Sequence, residues 1–297
     1  MAFADALSWE RDLPDMCRSM RAVILGGVAW NTMIDVDRFP EPHAQTVFAG
    51  GMHEAIGSSG AGKALNLAAL DVDVDLWALV GDDEPGRRVR TGLLAAGVRF
   101  HGVTDPQGTA QHFNLMNAAG ERISIFGNAG SLSAPIDPEP MRPLIETADV
   151  VAVTIHDHCR PFIPLAVAGD GELWMDIHDY DGVNPHHEEF IGAADALMMS
   201  SIAMPEWRTF LEDQVARGVK VAVATHGELG ASGLTADDGW VEVDAVATDV
   251  VDTNGAGDAF FAGFAVARYA GATMVEAMRI GAAHAARAVA SPHLAPV

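Results

Sequence analysis

Between Asp252 and Phe264 the chain reads DTNGAGDAFFAGF. Three small residues, Gly255, Ala256 and Gly257, stand before an acid, Asp258, and an amphipathic run that reads as a helix. Small residues let a ligand approach the backbone closely, and the first N–H groups of a helix have no partner inside it. A helix start of this kind holds a phosphate and stabilises the charge that develops during transfer. Asp258 then lies beside the reacting phosphate, where a carboxylate can accept the proton of an attacking hydroxyl. The chemistry expected is phosphoryl transfer to an alcohol, with Asp258 as base. A glycine turn with Asp258 as a plain helix cap explains only part of the string.

Two further stretches carry chemistry. GSSGAGKA, residues 57–64, has the spacing of a P-loop through Gly57, Gly62 and Lys63. Position 64 is Ala, however, where a P-loop needs a hydroxyl for magnesium, so a P-loop ATPase is the weaker reading. HDH at 156–158 and DIHD at 176–179 fall at the ends of consecutive predicted strands and would face one cleft of a parallel sheet. His156, Asp157, His158, Asp176, His178 and Asp179 could there bind substrate or support a divalent ion. Taken alone, they also suit a metal-dependent hydrolase, which would leave DTNGAGD without a purpose.

DTNGAGD resembles the C-terminal signature of the ribokinase-like (PfkB) carbohydrate kinases, D-T-x-G-A-G-D. THGELG (225–230) is similar to the T-x-G-x-x-G nucleotide loop of that family, VGDDEPG (80–86) to its V-G-D-D-x-x-G, and NAAGER (117–122) to its D-G-E-R lid turn. GAGKALN resembles G-G-K-G-A-N. The resemblance spans residues 21–290 and implies ATP and Mg2+ as cofactors, with a monovalent cation such as K+ as an optional activator. It implies Asp258 as catalytic base and the N–H groups of Gly255, Ala256 and Gly257 as anion hole. Thr225, Gly227, Gly230, Asp252, Thr253 and Asn254 would meet the nucleotide. Gly62, Lys63 and Asn66 would meet the substrate.

Two departures from the family pattern bear on the substrate and the metal. Asn31 stands where an Asp commonly binds two sugar hydroxyls; an amide still binds a hydroxyl but is uncharged. Ser200, Ser201, Ile202 and Ala203 occupy the N-x-x-E position, whose Glu organises magnesium and phosphate. Glu206, three residues on, and Asp176, near the acid of a D-x-N motif, are the substitutes the resemblance offers for the metal. His156 or Asp157 falls near an acid that touches the sugar. The substrate implied is a small sugar or sugar-like alcohol, with a nucleoside as the alternative; the lost Glu also leaves open a non-catalytic binding relative.

These residues need a scaffold that brings them together. RAVILGG from Arg21 reads as a buried strand, and strands are predicted at 74–80, 149–155, 172–177, 195–199 and 219–224. Helices are predicted at 60–70, 85–96, 256–269 and 273–290, the last opening on a Thr273/Glu276 capping box. Residues 109–126 read as a hairpin turning at 117–121. The fold class expected is a three-layer α/β/α domain over 21–297, with a mostly parallel sheet. Stretches 31–57 and 99–126 would form a small β lid, and residues 1–20 an N-terminal extension.

Composition agrees with a globular enzyme: 49% hydrophobic and 20% charged residues in 297. The formal net charge of -23 excludes nucleic acid and anionic membranes as natural partners. It also requires backbone N–H groups to hold the phosphates, because basic side chains are few. Cys17 and Cys159 form no disulfide framework, and the acidic first twenty residues are not a signal peptide, so a cytoplasmic location is expected. A homodimer formed by sheet pairing at the lid edge is implied by the resemblance.

Overall fold

The computed structural model describes residues 20–118 and 121–295. The chain opens with β1 (Arg21–Leu25), then crosses to β2 (Ala29–Asp35) and β3 (Gly51–Gly57) before α1 (Ser59–Ala69) returns it to β4 (Asp73–Val80). Next come α2 (Glu84–Ala95), β5 (Arg99–Thr104), β6 (Ala110–Met116) and β7 (Arg122–Asn128). Strand and helix then alternate: α3 (Arg142–Ile145), β8 (Val150–Thr154), α4 (Ile163–Ala168), β9 (Glu172–Asp176), α5 (Glu188–Ala193), β10 (Ala196–Ser200), α6 (Trp207–Ala216) and β11 (Val221–Thr225). The hairpin β12 (Ala231–Thr235) and β13 (Gly239–Val243) precedes the long α7 (Ala256–Tyr269) and α8 (Met274–Val289).

Nine strands make one sheet in the order β13-β12-β11-β10-β9-β8-β1-β4-β5. Pairing is parallel from β5 to β11 and antiparallel from β11 to β12 and within the terminal hairpin. The central strands are buried on both faces, which explains their unbroken apolar runs, such as VVAVT in β8. One face packs on α1, α7 and α8 through Leu67, Phe260 and Phe264. The other packs on the shorter helices through Phe162, Phe190 and Leu211. The chain runs β1, β4, β5 to one side and β8 to β13 to the other, so the direction of winding reverses beside β1. Ligands on such sheets bind at that reversal, beyond the strand ends.

Four strands, β3-β2-β6-β7, form a separate sheet over those ends. This is the lid, but its limits differ from the expected ones. Arg99–Thr104 belongs to the large sheet, where β5 pairs in parallel with β4 and Arg99 and His101 both meet Asp75. The segment has the period-two pattern of a lid strand, and only its pairing partner separates the two. The turn at 117–121 is closed by Asn117 N–H donating to the Glu121 carbonyl at 3.1 Å; two of its residues lie outside the described ones. So does the expected N-terminal extension, except Met20, which is buried and accepts a hydrogen bond from Asp73 N–H.

Candidate active site

A cleft of about 760 Å³ lies between the lid and the carboxyl ends of β1, β8, β9, β10 and β11. Gly255 supplies its turn in the left-handed region, φ 81°, and α7 starts at the next residue. A side chain at Gly255 would press on Leu294, so glycine suits the site twice over. Among the described residues, the N–H groups of Gly255, Gly257 and Asp258 have no acceptor, whereas Ala256 N–H reaches Thr253 O at 3.3 Å. Gly257 faces open space. Of the three N–H groups expected to form the anion hole, those of Gly255 and Gly257 are open to a phosphate, together with that of Asp258, whereas that of Ala256 is engaged.

Asp258 is buried and lines the cleft. Its Oδ1 accepts from Lys63 Nζ at 2.6 Å, and the same ammonium donates to Asp176 Oδ2 at 2.6 Å. Lys63 is 1% exposed and spends its ammonium on two carboxylates, so it is turned neither to a substrate, as the resemblance implied, nor to a phosphate as a P-loop lysine would be. Gly51–Gly57, ahead of it, is an antiparallel lid strand, not the central parallel strand a P-loop requires. Burial opposes the Lys63 charge, but Asp176 and Asp258 outweigh it and hold the ammonium above its usual value. Asp176 is held far below the carboxylate range: burial works against this, and the charges of His178 and Lys63 prevail. For Asp258 burial prevails over Lys63, and its carboxyl is raised. The two acids on one cation are therefore unequal, and Asp258 is the better proton acceptor.

Asn31, on β2, is 2% exposed, and its Oδ1 has no partner although it lines the cleft. Its lid neighbours on the inner face, His112, Asn114 and Ser124, line the cleft with it. The alternation of polar residues at 112 and 114 was the sequence signal for them. His156 also lines the cleft, with Nδ1 2.8 Å from Thr154 Oγ1. Burial and the neighbouring imidazoles push its pKa down to about 3, so it is neutral. Thr225, Gly227, Thr253 and Asn254 lie along the same cleft, and lid residue Arg122 donates to Asn254 Oδ1.

Other expectations do not fit the geometry. Asn66 donates to Gly62 O at 2.8 Å and Leu294 O at 2.7 Å and pairs with His284 at 3.0 Å, so it ties α1 to α8 and the C-terminal segment rather than meeting substrate. Gly62 is small for Asp258, not for a ligand: a Cβ there would sit 2.2 Å from Asp258 Oδ2. Asp157 is exposed and turned to Arg160. Gly230 serves the turn into β12, packed on the Val243 carbonyl, and Asp252 caps its own loop by accepting from Asn254 N–H at 2.7 Å.

The residues nominated for magnesium do not form a site for it. Glu206 is exposed and does not line the cleft. Asp176 gives one oxygen to Lys63 and the other to His178 N–H at 3.0 Å. The one group of metal donors that converges among the described residues is His156, His158 and Cys159, whose donor atoms lie within 4.8 Å. Nitrogen and sulfur are the wrong donors for magnesium.

The family model for pfkB family carbohydrate kinases matches residues 190–296. An ATP-dependent ribose-1-phosphate kinase of Halopiger xanaduensis is 31% identical over 257 residues, covering 82% of this chain and 83% of that protein. The chain belongs to the PfkB family. An acarbose 7(IV)-phosphotransferase of an Actinoplanes species is 29% identical to this PfkB chain over 91% of it and 92% of the relative. The solved structure of a microbiome-derived acarbose kinase superposes with a TM-score of 0.82 at 29% identity, covering 92% of this chain and 93% of that one. A ribokinase from Thermotoga maritima, at 20% identity and a TM-score of 0.75, shares the fold. This PfkB protein is an ATP-dependent carbohydrate kinase. No described helix is long and apolar enough to cross a membrane.

Proposed function

We propose that this PfkB kinase phosphorylates a hydroxyl of a neutral sugar, free or within a glycoside, using Asp258 as base. The observation that carries the reading is the lining of the sugar side. Asn31, His112, Asn114, Ser124 and a neutral His156 offer uncharged donors and acceptors, and Arg122, the one Lys or Arg among the described residues that line the cleft, is engaged with Asn254. A phosphorylated sugar would need basic side chains there. The resemblance to two proteins named for acarbose supports a glycoside in particular.

In this reading the sugar hydroxyl gives its proton to Asp258 as its oxygen attacks the γ-phosphorus of ATP, and the bond to the ADP oxygen breaks. The free N–H groups of Gly255, Gly257 and Asp258 hold the phosphoryl oxygens as charge shifts onto ADP. ATP lies over Thr225, Gly227, Thr253 and Asn254. Magnesium would come bound to the ATP phosphates and offset their charge there. ATP dependence argues for a cytoplasmic enzyme. The apolar outer face of the lid, with its free β7 edge, supports a homodimer.

The test is ADP release across free sugars, maltose-type glycosides and acarbose, nucleosides and sugar phosphates. Neutral sugars or glycosides should give the highest kcat/KM, and a preferred sugar phosphate or nucleoside would sink the substrate assignment. Asp258→Asn should lower kcat by about 10²–10⁴-fold; full activity in the folded variant would remove Asp258 from the chemistry.

A further inference from the structure

Lys63 is placed with unusual completeness for a buried ammonium. Its three N–H donors have three acceptors: Asp176 at 2.6 Å, Asp258 at 2.6 Å and Ser59 Oγ at 3.3 Å. Phe261 of α7 closes the remaining side, with its ring centroid 5.2 Å away. Three elements distant in the chain converge here: α1 brings Ser59 and Lys63, the end of β9 brings Asp176 and His178, and α7 brings Asp258. Ser59 Oγ is also 3.3 Å from His178 Nε2, and His178 holds a left-handed backbone, φ 50°, that few non-glycine residues adopt.

Lys63, Asp176 and Asp258 together carry one excess negative charge where an anionic phosphate must approach, and the imidazole of His178, with Nδ1 3.7 Å from Asp176 Oδ2, offsets it only when protonated. As a plain staple for the fold this is a poor choice, since a buried net charge is destabilising. The arrangement makes sense if one carboxylate is neutralised during the reaction. We propose that Lys63, anchored by Asp176, is a positioning residue that keeps the Asp258 carboxylate ionised and aimed before transfer. The inference rests on Asp258 being the base. When Asp258 takes the hydroxyl proton, the pair Lys63–Asp176 is left neutral, and the local negative charge falls as the phosphoryl group comes onto the sugar oxygen. Asp176 sets how much of the Lys63 charge Asp258 feels.

The groups facing Asp258 are thus Lys63 from α1 and Asp176 and His178 from the β9 end. Removing the first two should move the acid limb of kcat/KM in opposite directions. Lys63→Met leaves two acids without their cation, and the limb should move to higher pH by about one to three units. Asp176→Asn, close in shape, leaves Lys63 to Asp258 alone, and the limb should move to lower pH. ATP ionisation is common to all three proteins and cancels from the comparison. Opposite shifts in the folded proteins establish the role; lowered thermal stability with unmoved limbs assigns Lys63 and Asp176 to the fold alone and overturns it. Should Lys63→Met fail to fold, the direction of the Asp176→Asn shift decides. An active Asp258→Asn would instead remove the base reading, so the two failures are distinct.

Discussion

At the scale of single residues, Asp258 depends on what stands beside it. Gly62 presents a bare Cα to that carboxylate, and a methyl there would meet Oδ2 at 2.2 Å and Cγ at 2.7 Å. The atoms in the way end a side chain that can rotate, so Gly62→Ala should turn Asp258 aside rather than break α1. The expected result is a kcat lower by about 10²-fold. The same substitution should add almost nothing in an Asp258→Asn background. Steady-state kinetics on the double variant decide this, and additive losses would place the role of Gly62 elsewhere. Residue identity in the motif was legible because phosphate binding demands small residues at fixed offsets from an acid. The partners were less legible. Asn66 has the right motif position for a sugar hydroxyl, yet its bonds to Leu294 and His284 depend on α8 and the C-terminal segment, more than 200 residues away. Asp157 and His156 are adjacent, but one turns to solvent and the other to the cleft, and no local pattern distinguishes them.

At the scale of elements, the alternation of strand and helix is easily read because buried parallel strands are continuous apolar runs and two of the helices, α2 and α8, open on capping side chains. The Thr273–Glu276 capping box at the head of α8 is present with both of its hydrogen bonds. Sheet membership is harder, because it is a property of pairs: β5 and β6 look alike locally and join different sheets. The lid matters for function through Arg122, which leaves β7 and reaches Asn254 beside the anion hole. This contact ties lid position to the phosphate site. Arg122→Ala removes one exposed charge-assisted bond, worth about 1 kcal/mol, so the sugar KM should rise about fivefold. A lid less firmly held should also admit water, so more ADP should form per sugar phosphorylated. Measuring ADP and phosphosugar together tests this, and an unchanged ratio would separate Arg122 from closure.

At the scale of the whole molecule, two features pull in opposite directions. The chain carries a formal charge of -23, which disfavours contact between copies. The lid's outer face is largely apolar: Met52, Phe113, Ile123 and Ile125 are 69%, 39%, 41% and 51% exposed, the sheet register sets Ile34 and Leu115 among them, and Thr32 and Glu54 share the face. The period-two alternation puts the sugar-facing polar residues on the other side, so this face has no role in the cleft. The homodimer proposed above would bury this face against a second copy. Like charge should then weaken the dimer at low ionic strength, where the Debye length is about 30 Å at 0.01 M, and salt should strengthen it as that length falls to about 8 Å at 0.15 M. Ile125→Lys puts a charge on the apolar face beside its β7 edge and should give monomers at both salt concentrations. Sedimentation or light scattering on the two proteins measures this. A wild-type monomer at 0.15 M salt, or a variant that dimerises as well as the wild type, would rule the face out. Because the lid's inner face lines the sugar side of the cleft, a dimer built on its outer face would also brace that wall, and Ile125→Lys should raise the sugar KM while leaving that for ATP unchanged.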